Sequence, residues 1–437
     1  MDSSLIGVVM VGLLVATILL GVHVGVALGA LSFLGVWWVK GSFAVALKLL
    51  GIAAFGAVSD YVFGVLPLFV LMGLLSAVSG VTGDLYDAAN VLMPRVRGRL
   101  AIATVLANAV FAAITGVSVA SAAIFSKVAL PEMLRLGYEK KFALGTVGGS
   151  SVLGMLIPPS VLFIIYGILA EESIGKLFLA GIVPGLVLTA VYSAGIYAMV
   201  SRNPRLVGGE RAMPRAGRAD RLRVLVRLWP TASLIALVLG GIYGGLFTPT
   251  EAGAMGAFGA LLLAVLKRRL TLRRLWETLL ETGHATAAIF FLLIAASMYS
   301  RMLTLTGLTA RFSQTVIGLE LPAYVVIAVF MLVFLALGTI LDSTSIMLVS
   351  IPLMLPVVRT LGFDVIWFGV VSVVAVEIGL LTPPFGMVVF AMKAILGDAA
   401  SLEEIFAGTI PFMVMMLIVL VILILFPVLS TWLPRLT

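Results

Sequence analysis

Hydrophobic positions along the 437-residue chain gather into long runs parted by short polar breaks, without two-residue alternation. Runs near 5–22, 24–39, 62–79, 143–170, 178–200, 230–247, 252–266, 284–300, 365–393 and 408–433 read as helical membrane spans, which need about 20 apolar residues each. The missing alternation argues against an outer-membrane barrel. Two further apolar blocks, 101–126 and 322–358, have polar, small-residue centres: Thr115-Gly116-Val117-Ser118-Val119-Ala120-Ser121 and Gly338-Thr339-Ile340-Leu341-Asp342-Ser343-Thr344-Ser345. Each half-block is short for a span, so each block predicts a re-entrant helical hairpin with a polar tip. Such a tip is tolerated at depth only against protein or a polar cavity.

Two spans carry matched breaks. Gly154-Met155-Leu156-Ile157-Pro158-Pro159-Ser160 and Gly379-Leu380-Leu381-Thr382-Pro383-Pro384-Phe385 lie 225 residues apart and share four of seven positions. A Pro-Pro pair cannot continue a helix undisturbed, because both nitrogens lack a hydrogen and the rings crowd the preceding turn. At the same offset Leu130-Pro131 matches Leu355-Pro356, and Leu136-Gly137 matches Leu361-Gly362. At an offset of 227, the stretch from Phe178 to Pro184 parallels that from Ile405 to Pro411. Each half therefore reads as hairpin, connector, broken helix and a further helix. Paired interrupted spans in two halves point to a transporter binding site.

Composition agrees: 62% of residues are hydrophobic and 11% charged, far from a soluble domain. The net charge of +8 does not suggest nucleic-acid binding, because the basic residues cluster in loops. Eight Arg fall in 202–227 and five Lys or Arg in 267–274, a positive-inside signature that also favours anionic lipid headgroups. Seven basic residues (Arg95, Arg97, Arg99, Lys127, Arg135, Lys140 and Lys141) flank the first hairpin, which is therefore expected to enter from the cytoplasm. The second, beside Arg311, Glu320, Arg359 and Asp364, lacks that excess and is expected to enter from outside. The repeats are then inverted and both termini lie outside, although Lys40 and Lys48 run against this scheme. The N-terminus lacks a basic n-region and reads as a first span rather than a cleaved signal.

The resulting organisation is scaffold spans over 1–100, a first set of transport elements over 101–200, and a basic cytoplasmic linker over 201–229. Scaffold spans with an amphipathic surface helix (267–283) follow over 230–321, and a second set of transport elements over 322–437. The linker carries Pro204, Gly208-Gly209 and Pro214. No cysteine and only His23 and His284 are present, so thiol chemistry is excluded and a histidine metal site disfavoured. No phosphate-cradling Gly-x4-Gly-Lys-Ser/Thr loop occurs.

A helix broken at mid-membrane offers carbonyl oxygens to a hard cation such as Na⁺ and N–H groups to a carboxylate. Hydroxyls of Ser118, Ser121, Ser343, Thr344 and Thr382 could complete a cation shell; alternatively these small residues only allow close helix packing. Asp342 and Glu377 are acids inside apolar blocks, each costing roughly 2.5–3.5 kcal/mol on insertion scales. Asp342 either attracts a cation or caps a half-helix; Glu377 is either functional or a satisfied structural acid. Thr248-Pro249-Thr250-Glu251 predicts a capping box. Gly116-Val117-Ser118 looks like a serine-nucleophile turn, but no base accompanies it, so a membrane hydrolase is a distant alternative and the chain is read as no enzyme.

The same motifs resemble the large membrane subunit of tripartite ATP-independent periplasmic (TRAP) transporters. The carrying residues are the Gly116–Ser121 tip, Pro131-Glu132-Met133 with Gly137-Tyr138, the Ile157–Ser160 break, Ser173–Phe178 and Ala180–Gly185. Thr248–Ala252, Leu341-Asp342 and Glu377–Pro384 carry it in the second half. The resemblance implies an all-α polytopic elevator fold of the ion-transporter superfamily, co-transporting Na⁺ with a small organic anion, a carboxylate or sulfonate. It implies a bacterial or archaeal inner-membrane location, a periplasmic solute-binding protein and a separate small four-span membrane subunit. One implied Na⁺ site joins Ser118, Ser121, Gly154 and Pro158; the other joins Gly338, Asp342, Gly379 and Thr382. Gly116, Pro159, Ser343, Thr344, Glu377 and Pro384 would adjoin the substrate. Ala375 stands where many relatives carry Asn. A related Na⁺/dicarboxylate symporter working without a binding protein is the alternative.

Overall fold

Every long apolar run becomes helix, and no strand occurs among the described residues. The computed structural model describes residues 3–59, 61–93, 96–208 and 218–436; Arg95 and linker residues 209–217, with Gly209 and Pro214, lie outside them. The chain opens with α1 (Ser3–Leu19), α2 (Val24–Lys40), α3 (Phe43–Ser59), α4 (Val65–Val78) and α5 (Val81–Leu92). The His23 ring accepts the Gly25 N–H at the start of α2, and left-handed Gly41 ends it.

The first polar-centred block forms the expected pair, α6 (Arg99–Thr115) and α7 (Ser118–Val128), followed by α8 (Leu130–Arg135). The first Pro-Pro span is α9 (Lys140–Ser151) with α10 (Leu153–Leu156), a non-helical gap, and α11 (Val161–Ala170). Then come α12 (Ile174–Arg202), α13 (Arg218–Arg227), α14 (Trp229–Ile235), a π-helical turn and α15 (Gly241–Tyr243). Next are α16 (Pro249–Leu266), α17 (Leu272–Leu305) and α18 (Leu308–Gly318). The second half repeats the plan: α19 (Ala323–Gly338) and α20 (Ser343–Thr360), then α21 (Val365–Gly379), a gap, α22 (Met387–Leu396), α23 (Leu402–Leu425) and α24 (Val428–Thr431). Among the described residues, seven helical segments are long and apolar enough to cross a membrane.

Three expectations need correction. The 43–59 stretch, absent from the expected spans, is helix α3. The amphipathic 267–283 stretch is not a separate surface helix, because α17 runs unbroken for 34 residues. Nothing there stops it: Gly283 alone weakens a helix by only about 1 kcal/mol. The basic linker is partly ordered as α13.

The two halves pack reciprocally. α6 lies against α9 and α10, as α19 lies against α21. The second arm of each hairpin crosses over: α7 packs on α22 and α20 on α11. The following helices cross over too, α12 onto α21 and α23 onto α9. The α9–α23 contact is backbone to backbone, since a Cβ on Gly145 would lie 1.8 Å from the Gly408 oxygen. Small residues permit that approach in lipid, where packing replaces the hydrophobic effect between helices. Lys140 pairs with Glu404 at 2.6 Å across the same contact. Glu139 and Asp364, 225 residues apart, cap α9 and α21 by accepting first-turn N–H groups. A second layer forms from α1 to α4 with α16 and α17, in which α4 packs on α16 and α2 on α17.

Candidate functional site

Helix starts place the tip residues. Gly116 takes φ 65°, a left-handed turn that glycine adopts without a steric cost, and Val117 is extended, so α7 begins at Ser118. The Ser118 side chain is buried, and its Oγ donates to Glu377 Oε2 at 2.6 Å. In the second hairpin Asp342 caps α20: Oδ1 accepts the Ser345 N–H at 3.1 Å and Oδ2 accepts the Ser345 hydroxyl. Ser343, the first residue of α20, donates its hydroxyl to Glu377 Oε1 at 3.3 Å. Ser118 and Ser343 are 225 residues apart, hence the same position of the two repeats. One carboxylate on α21, fully buried, therefore holds both tips at the N-terminal ends of α7 and α20, where helix dipoles favour negative charge.

The breaks meet the tips. Both Pro-Pro bonds, Pro158-Pro159 and Pro383-Pro384, are cis. In the first break Ser160 caps α11 through the Phe163 N–H and donates to the Met155 carbonyl at 2.5 Å. The Val161 N–H reaches the Gly116 carbonyl at 3.3 Å. In the second, the Phe385 N–H reaches the Thr339 carbonyl at 3.1 Å. Each tip thus gives a carbonyl to an N–H that its own repeat's break has freed. Glycines make the approach possible: a Cβ on Gly116 would stand 2.5 Å from the Pro159 oxygen, and one on Gly154 2.9 Å from the Val117 carbonyl carbon. Gly338 and Gly379 touch directly, each Cβ falling 2.5–2.6 Å from the other's Cα.

Of the first residue set, Ser118 and Gly154 meet at the tip, and Pro158 is buried in the adjoining break. Ser121 lies three residues along α7, its hydroxyl buried without a hydrogen-bond partner. Of the second set, Gly338 and Gly379 are in contact, Asp342 is turned onto Ser345, and the Thr382 hydroxyl donates to the Ile378 carbonyl at 2.8 Å. Gly116 with Pro159, and Ser343 with Glu377, are joined as neighbours; Thr344 is half-buried and Pro384 exposed. The halves differ in access: Pro158, Pro159 and Ser160 are buried, whereas Pro383, Pro384 and Phe385 are exposed.

Sequence reasoning passed over three buried polar residues near these elements. Asn108 on α6 donates to Ser150 on α9 at 2.6 Å, and its Oδ1 lacks a partner. The hydroxyls of Tyr192 on α12 and Ser372 on α21 are likewise buried and unpartnered. A lone polar residue in an apolar run is the available signal. It is faint because many helical hydroxyls merely bond back to the preceding turn, as Thr104 and Thr146 do here. Chemically, the centre offers hydroxyl and carboxyl oxygens beside broken-helix backbone, and the Ser118 hydroxyl donates to Glu377 while the His23 ring serves the cap of α2. That set suits binding rather than nucleophilic attack.

The family described as "Tripartite ATP-independent periplasmic transporter, DctM component" matches residues 11–429. The chain is 34% identical over 391 residues to the C4-dicarboxylate TRAP transporter large permease protein of Pseudomonas aeruginosa, covering 89% of this chain and 90% of that one. It is 30% identical to the sialic acid TRAP transporter large permease of Vibrio cholerae, covering 87% and 88%. It is 34% identical to the ectoine/5-hydroxyectoine large permease of Ruegeria pomeroyi, covering 84% of each. Among solved structures, the YdaH transporter of Alcanivorax borkumensis superposes with a TM-score of 0.60 at 15% identity, over 88% of this chain and 89% of that one, which is a likeness of fold. These relatives are membrane permeases, not enzymes. With a match spanning almost its whole length and relatives of this identity, the chain belongs to the TRAP transporter large permease (DctM) family.

Proposed function

We propose that this permease imports a small organic anion, a carboxylate or sulfonate, across a bacterial or archaeal inner membrane by coupling it to Na⁺. A TRAP large permease works with a small membrane subunit and a periplasmic binding protein; the substrate class and a four-span small subunit belong to the proposal. The observation that carries it is the meeting of two equivalent hairpin tips with two Pro-Pro breaks around buried oxygens. Ser118, Ser121 and backbone near Gly154 and Pro158 supply ligands to one Na⁺; backbone at Gly338 and Gly379, Asp342 and Thr382 supply the other. The substrate sits between them, beside Gly116, Pro159, Ser343, Thr344 and Pro384, where helix N-termini face its negative charge.

The mobile unit comprises the hairpins and broken helices (α6 to α11 and α19 to α22), carried past the scaffold of α1 to α4, α16 and α17 in an elevator movement. The first hairpin enters from the cytoplasm and the second from outside, with both chain termini outside, as the charges beside them favour.

The test is uptake into proteoliposomes holding this permease and its small subunit, with the cognate binding protein added outside. We expect accumulation only under an inward Na⁺ gradient and only with all three components. Equal uptake in choline, or uptake of free substrate by this chain alone, would overturn the reading. A thermal-shift screen of carboxylates and sulfonates on the binding protein identifies the substrate.

A further inference from the structure

We infer that the Ser343 hydroxyl, placed above beside the substrate, also completes the second cation site, and that Glu377 is a positioning residue shared by the two sites: it aims the Ser118 and Ser343 oxygens and thereby makes Na⁺ binding at one site favour the other. The inference rests on the Na⁺ reading above. It starts from the geometry, in which each carboxylate oxygen accepts one serine hydroxyl, at 2.6 Å from Ser118 and 3.3 Å from Ser343. A serine hydroxyl has one hydrogen and two lone pairs. With the hydrogen committed to Glu377, only lone pairs remain to face a cation. A serine freed from Glu377 would turn its hydrogen to the nearest carbonyl instead, as other buried serines of this chain do.

Three further observations support a shared role. The serines are repeat equivalents, yet the acid is not duplicated: the position 225 residues before Glu377 is Val152, which is fully buried. One acid thus serves two sites. Glu377 is fully buried and forms no ion pair among the described residues. A cation arriving beside such a buried acid favours its charged form, and by the same linkage the acid favours the cation. Finally, the Ser121 hydroxyl on the same helix as Ser118 is buried and unpartnered, which leaves an oxygen available next to the aimed one. When one site fills, its serine and the carboxylate are fixed. The opposite serine then loses less freedom on binding, which is positive coupling.

The experiment uses the permease co-purified with its small subunit. Na⁺ is titrated by melting-temperature shift and by uptake in the full three-component system. The wild type should respond sigmoidally. Glu377→Gln keeps the shape but replaces one acceptor oxygen with an N–H donor, so one serine must turn its hydrogen elsewhere and gives up a lone pair to the amide. We expect its melting temperature in choline to stay near wild type, half-saturating Na⁺ to rise about tenfold, and the Hill coefficient to fall toward about 1. In the wild type, Ser118→Ala and Ser343→Ala should be non-additive in Na⁺ affinity; in a Glu377→Gln background they should add. Should Glu377→Gln not fold, Glu377→Asp, which keeps the charge but is too short to reach both serines, replaces it. A Na⁺ curve of Glu377→Gln or Glu377→Asp superimposable on a sigmoidal wild-type curve overturns this inference alone, as does additivity of the serine changes in the wild type. A wild type that transports without regard to Na⁺ overturns the Na⁺ reading itself.

Discussion

Glycine at 379 and at 338 is required by contact rather than by conformation. Either Cβ would meet backbone Cα of the opposite element at 2.5–2.6 Å, and backbone cannot turn aside as a side chain can. Gly379→Ala should therefore push the second hairpin off α21, costing about 1–3 kcal/mol by overpacking. We expect a lower melting temperature and loss of Na⁺-dependent uptake; a variant with wild-type values of both would refute that contact. Asp342 separates two roles at one residue. Its oxygens already cap α20 through Ser345, which the sequence left open between capping and cation binding. Asp342→Asn retains a capping oxygen and loses charge, whereas Asp342→Ala loses both. If Asp342 also ligates Na⁺, Asp342→Asn should weaken Na⁺ dependence while leaving the melting temperature near wild type. If it only caps, Asp342→Asn should leave Na⁺ dependence unchanged and Asp342→Ala should cost about 1 kcal/mol of stability.

Among the elements, the α9–α23 crossing is the tightest and the easiest to test. Gly145→Ala would place a methyl 1.8 Å from the Gly408 oxygen, so these helices must separate. Gly51→Ala on α3 meets nothing within 4 Å and serves as the control. We expect the first to lower the melting temperature markedly and the second to leave it unchanged or raise it. The capping box is confirmed in both directions, Thr248 to the Glu251 N–H and Glu251 to the Thr248 N–H. Thr248→Ala should cost about 1 kcal/mol, read as a melting shift. Local features such as this box, the hairpin turns and the Pro-Pro gaps were legible because a few neighbouring residues decide them. Helix α3 was not, since Lys40 and Lys48 interrupt the apolar pattern around it, and neither did sequence reveal that α17 runs on past its amphipathic start.

At the scale of the molecule, the reciprocal packing explains why one buried acid, Glu377, meets serines of both halves. The first arm of each hairpin lies against its own repeat, and the second packs on both its own repeat and the other. The difference in access between the breaks, the first enclosed and the second exposed, means that the two equivalent breaks are not presented alike in this conformation. The sequence by itself determined the helical membrane class, the doubled hairpin-and-break plan and the family. These rest on apolar length, on proline's missing N–H and on motifs read within a few residues. Only the tertiary structure decided that Ser118, 259 residues from Glu377, shares its carboxylate with Ser343. Helix hydrogen bonding reaches four residues along the chain. The meeting of two remote tips at one buried acid instead depends on how every intervening helix packs.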